Sequence, residues 1–140
     1  MVSHATTVQV HWSDVDPAGI AFYPRFFEWY DRGSEALFAS VGLGWPELFP
    51  KYAIVGVPIL ESGSRFRSPV RYGDMLTVHS TLAWVKDKAF RVEHRITRGD
   101  RLCAEGFEVR AWIPRPEPGA ELATASIPPE VAARLRGERA

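Results

Sequence analysis

Several things that mark whole classes of protein are scarce or missing in this sequence. It has one cysteine, Cys103, so no disulfide can form within the chain, which fits a reducing compartment. It has no surplus of either charge: seventeen Lys+Arg balance seventeen Asp+Glu, a balance unlike that of general polyanion binders, so nucleic acid is not an expected partner. No apolar run approaches the ~18 residues needed to span a bilayer, so no membrane association is expected. The opening Met1-Val2-Ser3-His4 has neither a basic nor an apolar stretch of the kind that begins a signal peptide. The chain therefore reads as soluble and cytoplasmic. The familiar catalytic kits are missing too. His4, His11, His79 and His94 lack metal-type spacing, so no metal site is expected, and His94 reads as a satisfied core histidine. Cys103 reads as a packing residue, Ser62-Gly63-Ser64 as strand rather than a nucleophile elbow, and no glycine-rich phosphate loop precedes a helix.

What is present is material for one α+β domain spanning residues 1–140, with 46% hydrophobic residues. Residues 6–12 alternate and are β-branched or aromatic, which predicts a first strand. Pro24 suits the first turn of a helix running to about Val41, with Gly42 as its stop. Along it Phe26, Phe27, Tyr30, Leu37, Phe38 and Val41 form an apolar stripe, and Glu28, Asp31, Arg32 and Glu35 occupy the opposite side. A third stripe of small residues contains Gly33. A mid-helix glycine costs ~1 kcal/mol relative to alanine, so Gly33 predicts a close neighbour. Further strands are expected at 54–57, 59–67, 76–85, 89–97 and 102–113, with a hairpin at Gly99-Asp100. In the last, Leu102 and Ala104 share one parity while Phe107, Val109 and Ala111 share the other, which predicts a bulge near Gly106. Residues 128–136 read as a short terminal helix. The architecture expected is one long helix packed against a curved antiparallel sheet.

The turn between first strand and long helix carries the chemistry. Asp14 and Asp16 are two apart, so an extended backbone points both carboxylates to one side. The helix that follows offers unpaired N–H groups and a positive dipole end. A carboxylate beside free N–H donors is the minimum apparatus for acyl transfer: the donors stabilise an oxyanion, and the carboxylate attacks the carbonyl or activates water. The same aspartates could instead cap the helix or its turn.

The segment His11-Trp12-Ser13-Asp14-Val15-Asp16-Pro17-Ala18-Gly19-Ile20-Ala21-Phe22-Tyr23-Pro24 closely resembles the signature of 4-hydroxybenzoyl-CoA thioesterases and their hot-dog relatives. Ile54-Val55-Gly56-Val57-Pro58-Ile59 and Tyr72-Gly73-Asp74-Met75-Leu76 are similar to the family's later strands. The resemblance implies a hot-dog fold and hydrolysis of an aromatic or short-to-medium-chain acyl-CoA, with CoA as part of the substrate and no cofactor. It implies Asp16 as the catalytic carboxylate and the Tyr23 backbone N–H as the group that polarises the thioester carbonyl. Asp14 is then a turn or support residue. Asp31 matches a position near the acyl group, or is a solvated helix charge. Lys86 and Lys88 match a basic hairpin that holds nucleotide phosphates, or are solvated. Where some relatives carry arginines near the C-terminal strand, this chain has Glu121-Leu122-Ala123-Thr124. A homodimer or homotetramer with active sites between subunits is also implied. Two other readings are a non-catalytic acyl-CoA-binding module and a hydratase or dehydratase. The second usually needs a site histidine, and none lies between Asp16 and His79.

Overall fold

The computed structural model describes residues 1–138. Its strands are β1 (Ser3–Gln9), β2 (Ile54–Gly56), β3 (Ile59–Phe66), β4 (Met75–Val85), β5 (Ala89–Arg98), β6 (Arg101–Ala111) and β7 (Ile113–Pro114). Its helices are α1 (Pro24–Ser40), α2 (Trp45–Lys51) and α3 (Pro129–Leu135). Five strands form one antiparallel sheet in the order β1-β4-β5-β6-β3, and β2 pairs with β7 separately. The fold is α+β, with α1 laid across one face of the sheet, chiefly over β1 and β4.

Alternation explains the central strands. In β5, Phe90, Val92, His94 and Ile96 are buried beneath the helix layer, while Arg91, Glu93 and Arg95 face outward. Above them α1 buries Phe26, Trp29, Tyr30, Gly33, Ser34, Leu37 and Phe38. The exposed side carries Glu28, Asp31, Arg32 and Glu35, as its charge pattern predicts. α1 joins two apolar clusters: Val8, Val10, Leu76, Val78 and Ile96 at its first half, and Phe90, Trp112, Val131 and Leu135 beyond its second. Gly33 has the close neighbour expected of it, since a Cβ there would meet Ser80 Oγ and come within 2.9 Å of Val78 Cγ1.

Two expectations need correcting. The first strand ends at Gln9, because the Asp14 carboxylate accepts the His11 N–H (2.8 Å) and draws Trp12–Asp14 into a 3₁₀ turn. Local turn chemistry there overrides β-branched patterning. The irregularity in β6 lies at Cys103, where Ile96 pairs with Ala104 and Thr97 with Leu102, rather than near Gly106. Beyond it the strand keeps one phase. Ala104, Gly106, Glu108 and Arg110 face the helix, and Phe107 lies on the outer face under the Arg91 guanidinium, 3.9 Å from the ring centroid. The apolar parity misled because two of the inward residues are charged.

Candidate active site

The segment from Val10 to Tyr23 leaves the end of β1, is tied by reciprocal backbone bonds between Val10 and the Gly73-Asp74 turn (2.9 Å each), and returns to start α1. Inside it, Val15 bridges Ala21, the Asp16 N–H donates to Ile20 O (3.0 Å) and the Gly19 N–H to Asp16 O (2.9 Å). Gly19 adopts φ +82°, a conformation a side chain would strain. The result is a closed loop presenting one half-buried carboxylate. Asp16 Oδ1 accepts the Ala18 N–H at 2.9 Å, and Oδ2 has no partner among the described residues.

Asp14 does something different. Its carboxylate binds the His11 N–H and stands 3.7 Å from Arg25 Nε, so it braces the turn. The two aspartates do not share an extended strand face.

At the exit of the loop, Tyr23 is the N-cap of α1 with φ −54°. Its carbonyl accepts from Phe26 N–H (3.2 Å), Pro24 has no N–H, and Arg25 N–H is taken by Phe22 O (2.9 Å). Among the described residues the Tyr23 N–H has no acceptor, and it sits at the positive end of a 17-residue helix. A free carboxylate oxygen and a free amide donor thus flank one short loop. Tyr23 also walls a mainly apolar recess of about 310 Å³, with Ile20, Ala21, Phe26, Phe66 and Val70 among its other lining residues. A larger hollow of about 710 Å³ lies on the outer face of the sheet among Arg65, His79, Arg91, Glu93, Arg95 and Glu105. It has no residue of the loop in its wall.

The other sequence-derived candidates lie elsewhere. Lys86 and Lys88 are exposed at the β4–β5 hairpin, Lys86 Nζ resting 4.4 Å from the Trp84 ring centroid. The Asp16 loop adjoins the start of β4 and the hairpin follows its end. β4 has eleven residues, a strand length of about 35 Å at roughly 3.3 Å per residue, so the loop and the hairpin lie towards opposite ends of it. Asp31 lies on the exposed side of α1, its Oδ1 held by Arg110 Nη2 at 2.6 Å. Sequence reasoning missed what stands below it. Arg110 also binds Glu108 (Nη2–Oε2 2.9 Å) and the Val57 carbonyl (2.9 Å). Glu108 in turn accepts from Ser34 Oγ and from His94 Nε2 at 3.1 Å. Burial by itself would raise the Glu108 carboxyl. The His94 hydrogen bond and the Arg110 charge outweigh it and hold the group down at about 2. The signal that could have found this array is the shared parity of Ala104, Glu108 and Arg110.

A helix laid on a curved antiparallel sheet, with a carboxylate loop at the helix start, defines the hot-dog class of thioesterases. The family model described as the thioesterase-like superfamily matches residues 10–135, and the chain belongs to that family. It is 31% identical over 110 residues to a 4-hydroxybenzoyl-CoA thioesterase of Pseudomonas sp. (strain CBS-3), covering 74% of this chain and 78% of that protein. A 1,4-dihydroxy-2-naphthoyl-CoA hydrolase of Synechococcus sp. (strain WH7803) is 25% identical over 107 residues, covering 72% of this chain and 70% of the relative. The solved structure of the Pseudomonas enzyme superposes with a TM-score of 0.86 at 26% identity, over 96% of this chain and 99% of that one. A gentisyl-coenzyme A thioesterase gives 0.83 at 29% identity, over 94% and 99%.

Proposed function

We propose that this chain, an acyl-CoA thioesterase by family and fold, hydrolyses a ring-hydroxylated aromatic acyl-CoA to the free acid and CoA, with Asp16 as its catalytic carboxylate. The observation that carries the reading is an unpartnered Asp16 oxygen and an unpartnered Tyr23 N–H in the one loop that opens α1. The thioester carbonyl oxygen accepts from Tyr23 N–H, and the helix end stabilises the negative charge that grows there. Asp16 then acts in one of two ways. It attacks the carbonyl carbon, expelling CoA thiolate and leaving a mixed anhydride that water cleaves, or it takes a proton from water as that water attacks. Either route needs only water and the chain's own groups, and no cofactor. The apolar recess takes the part of the substrate next to the thioester.

The acyl assignment draws on the relatives, whose names specify 4-hydroxybenzoyl, dihydroxynaphthoyl and gentisyl esters, each an aromatic ring bearing hydroxyl groups. Asp31, an exposed carboxylate on α1, supplies an acceptor for such a hydroxyl. Lys86 and Lys88 meet the CoA phosphates, and their place at the far end of β4 from the Asp16 loop favours their coming from a second copy. β3 is an edge strand, exposed along most of its length, and antiparallel pairing of two β3 edges puts the hairpin of one protomer and the loop of the other at the same end of the joined sheet. The working unit is therefore a homodimer or a tetramer of such dimers, acting in the cytoplasm as a single-domain enzyme.

Thiol release from purified protein against 4-hydroxybenzoyl-, gentisyl-, benzoyl- and linear acyl-CoA tests the proposal. Hydroxylated aromatic esters should lead, and Asp16→Asn should cut turnover by about 10²-fold or more while the protein stays folded. Saturable ester binding without thiol release would mean a binding module. A folded Asp16→Asn enzyme working at full rate would remove Asp16 from the mechanism.

A further inference from the structure

Thioester cleavage as proposed gives no step to the charges beneath Asp31, yet they are the most deeply buried ionisable groups that α1 covers. Glu108 is 1% exposed and accepts from Ser34 and His94. His94 is fixed on its other side by Ser80 Oγ, 2.8 Å from Nδ1, and stacks on Tyr30 at 5.0 Å. The Arg110 side chain is 5% exposed and joins Glu108, the Val57 carbonyl and Asp31, with the Trp45 ring 5.2 Å away. Only Asp31 reaches solvent. Its side chain is 53% exposed, and Oδ2 has no partner among the described residues.

Stability does not call for such an array. Each buried ion costs several kcal/mol of lost hydration, and apolar residues of the same volume often serve a fold as well or better. What the array delivers is orientation. A lone aspartate on an exposed helix face samples its rotamers and loses that freedom on binding. Asp31 is instead gripped through one oxygen by a planar guanidinium itself held by two bonds to Glu108 (Nη2–Oε2 2.9 Å, Nε–Oε1 3.3 Å) and one to the Val57 carbonyl, with the other Asp31 oxygen left open. It stands eight residues past Tyr23, about 12 Å of helix rise. One aromatic ring with a hydrogen bond of about 3 Å at each end can bridge such a distance.

We propose that Arg110, anchored by Glu108 and the Val57 carbonyl, is a positioning residue that holds Asp31 with one oxygen free for a ring hydroxyl, and so sets the preference for hydroxylated over unsubstituted aromatic acyl-CoA. The proposal rests on the assignment of Asp31 to the acyl group made above. A site pre-set for a hydroxyl discriminates against the analogue lacking it, because the waiting acceptor then loses its partner.

The measurement is the ratio of kcat/KM for 4-hydroxybenzoyl-CoA to that for benzoyl-CoA. It is made on wild type, Asp31→Asn, Arg110→Lys and the double variant Glu108→Gln/Arg110→Met, which removes both buried charges together. Wild type should favour the hydroxylated ester. The double variant should lose about tenfold or more of that ratio, mostly through KM for the hydroxylated ester. Arg110→Lys keeps the buried charge but not the fork, so it should also lower the ratio, and it decides the matter if the double variant does not fold. An unchanged ratio in the folded double variant, or in Arg110→Lys, overturns the proposal. A ratio lost in Asp31→Asn but kept in the Arg110 variants would leave Asp31 at the acyl group and dismiss Arg110. A ratio kept in Asp31→Asn, or absent from wild type, would dismiss the Asp31 assignment and the proposal with it.

Discussion

Glu108 shows how far a side chain's surroundings can reverse the effect of its burial. Seclusion from water favours the neutral acid, but the His94 hydrogen bond and the Arg110 charge hold the folded carboxyl at about 2, against an ordinary 4.5. A folded value below the unfolded one means that Glu108 stabilises the protein above about pH 4.5. That contribution is lost as the pH falls through 4.5 towards 2. Denaturant titrations from pH 7 to 2 should show a steep loss of stability in that window. Glu108→Gln should flatten this dependence and cost about 3 kcal/mol at pH 7, because Arg110 stays buried with part of its counter-charge gone. The same slope in the variant would assign the acid sensitivity to other carboxylates.

Among the elements, α1 was legible because its period, its proline start and its glycine stop all agree, and Gly33 announced a contact that alternation could not locate. An alanine there gains about 1 kcal/mol of helix propensity but drives a methyl into Ser80 Oγ, which is tied to His94 and cannot simply turn away. Overpacking of this kind costs about 1–3 kcal/mol, so Gly33→Ala should lower the unfolding midpoint rather than raise it. β6 was the element least legible. Its inward face carries Glu108 and Arg110, whose partners Ser34, His94 and Asp31 lie 14 to 79 positions away, and no local pattern encodes such pairing. The Asp16 loop was readable from its motif and turn residues. The distance separating it from the β4–β5 hairpin was not, since strand direction and length decide it. Replacing Lys86 and Lys88 together with alanine should raise KM for CoA esters severalfold at low salt and weaken its salt dependence. Unaltered KM at low salt would make both lysines ordinary surface charges.

For the whole molecule, the open β3 edge is the feature with most to explain. Ile59, Leu60 and Phe66 are exposed along it, and an unpaired apolar edge is an invitation to association. Leu60→Lys should shift the light-scattering mass towards the monomer and lower activity in step with the dimer fraction. A fully active monomer would refute the shared site. The placement of loop and hairpin at opposite ends of β4 also has a genetic reading. Two crippled subunits should repair one another. In a mixed dimer of Asp16→Asn with Lys86→Ala/Lys88→Ala, one site inherits both lesions and the other inherits neither. Co-expression of the two variants should thus yield, at low salt and sub-saturating ester, a population of sites with wild-type KM, by intragenic complementation, whereas a site confined to one chain would show only the raised KM of the lysine variant in every combination.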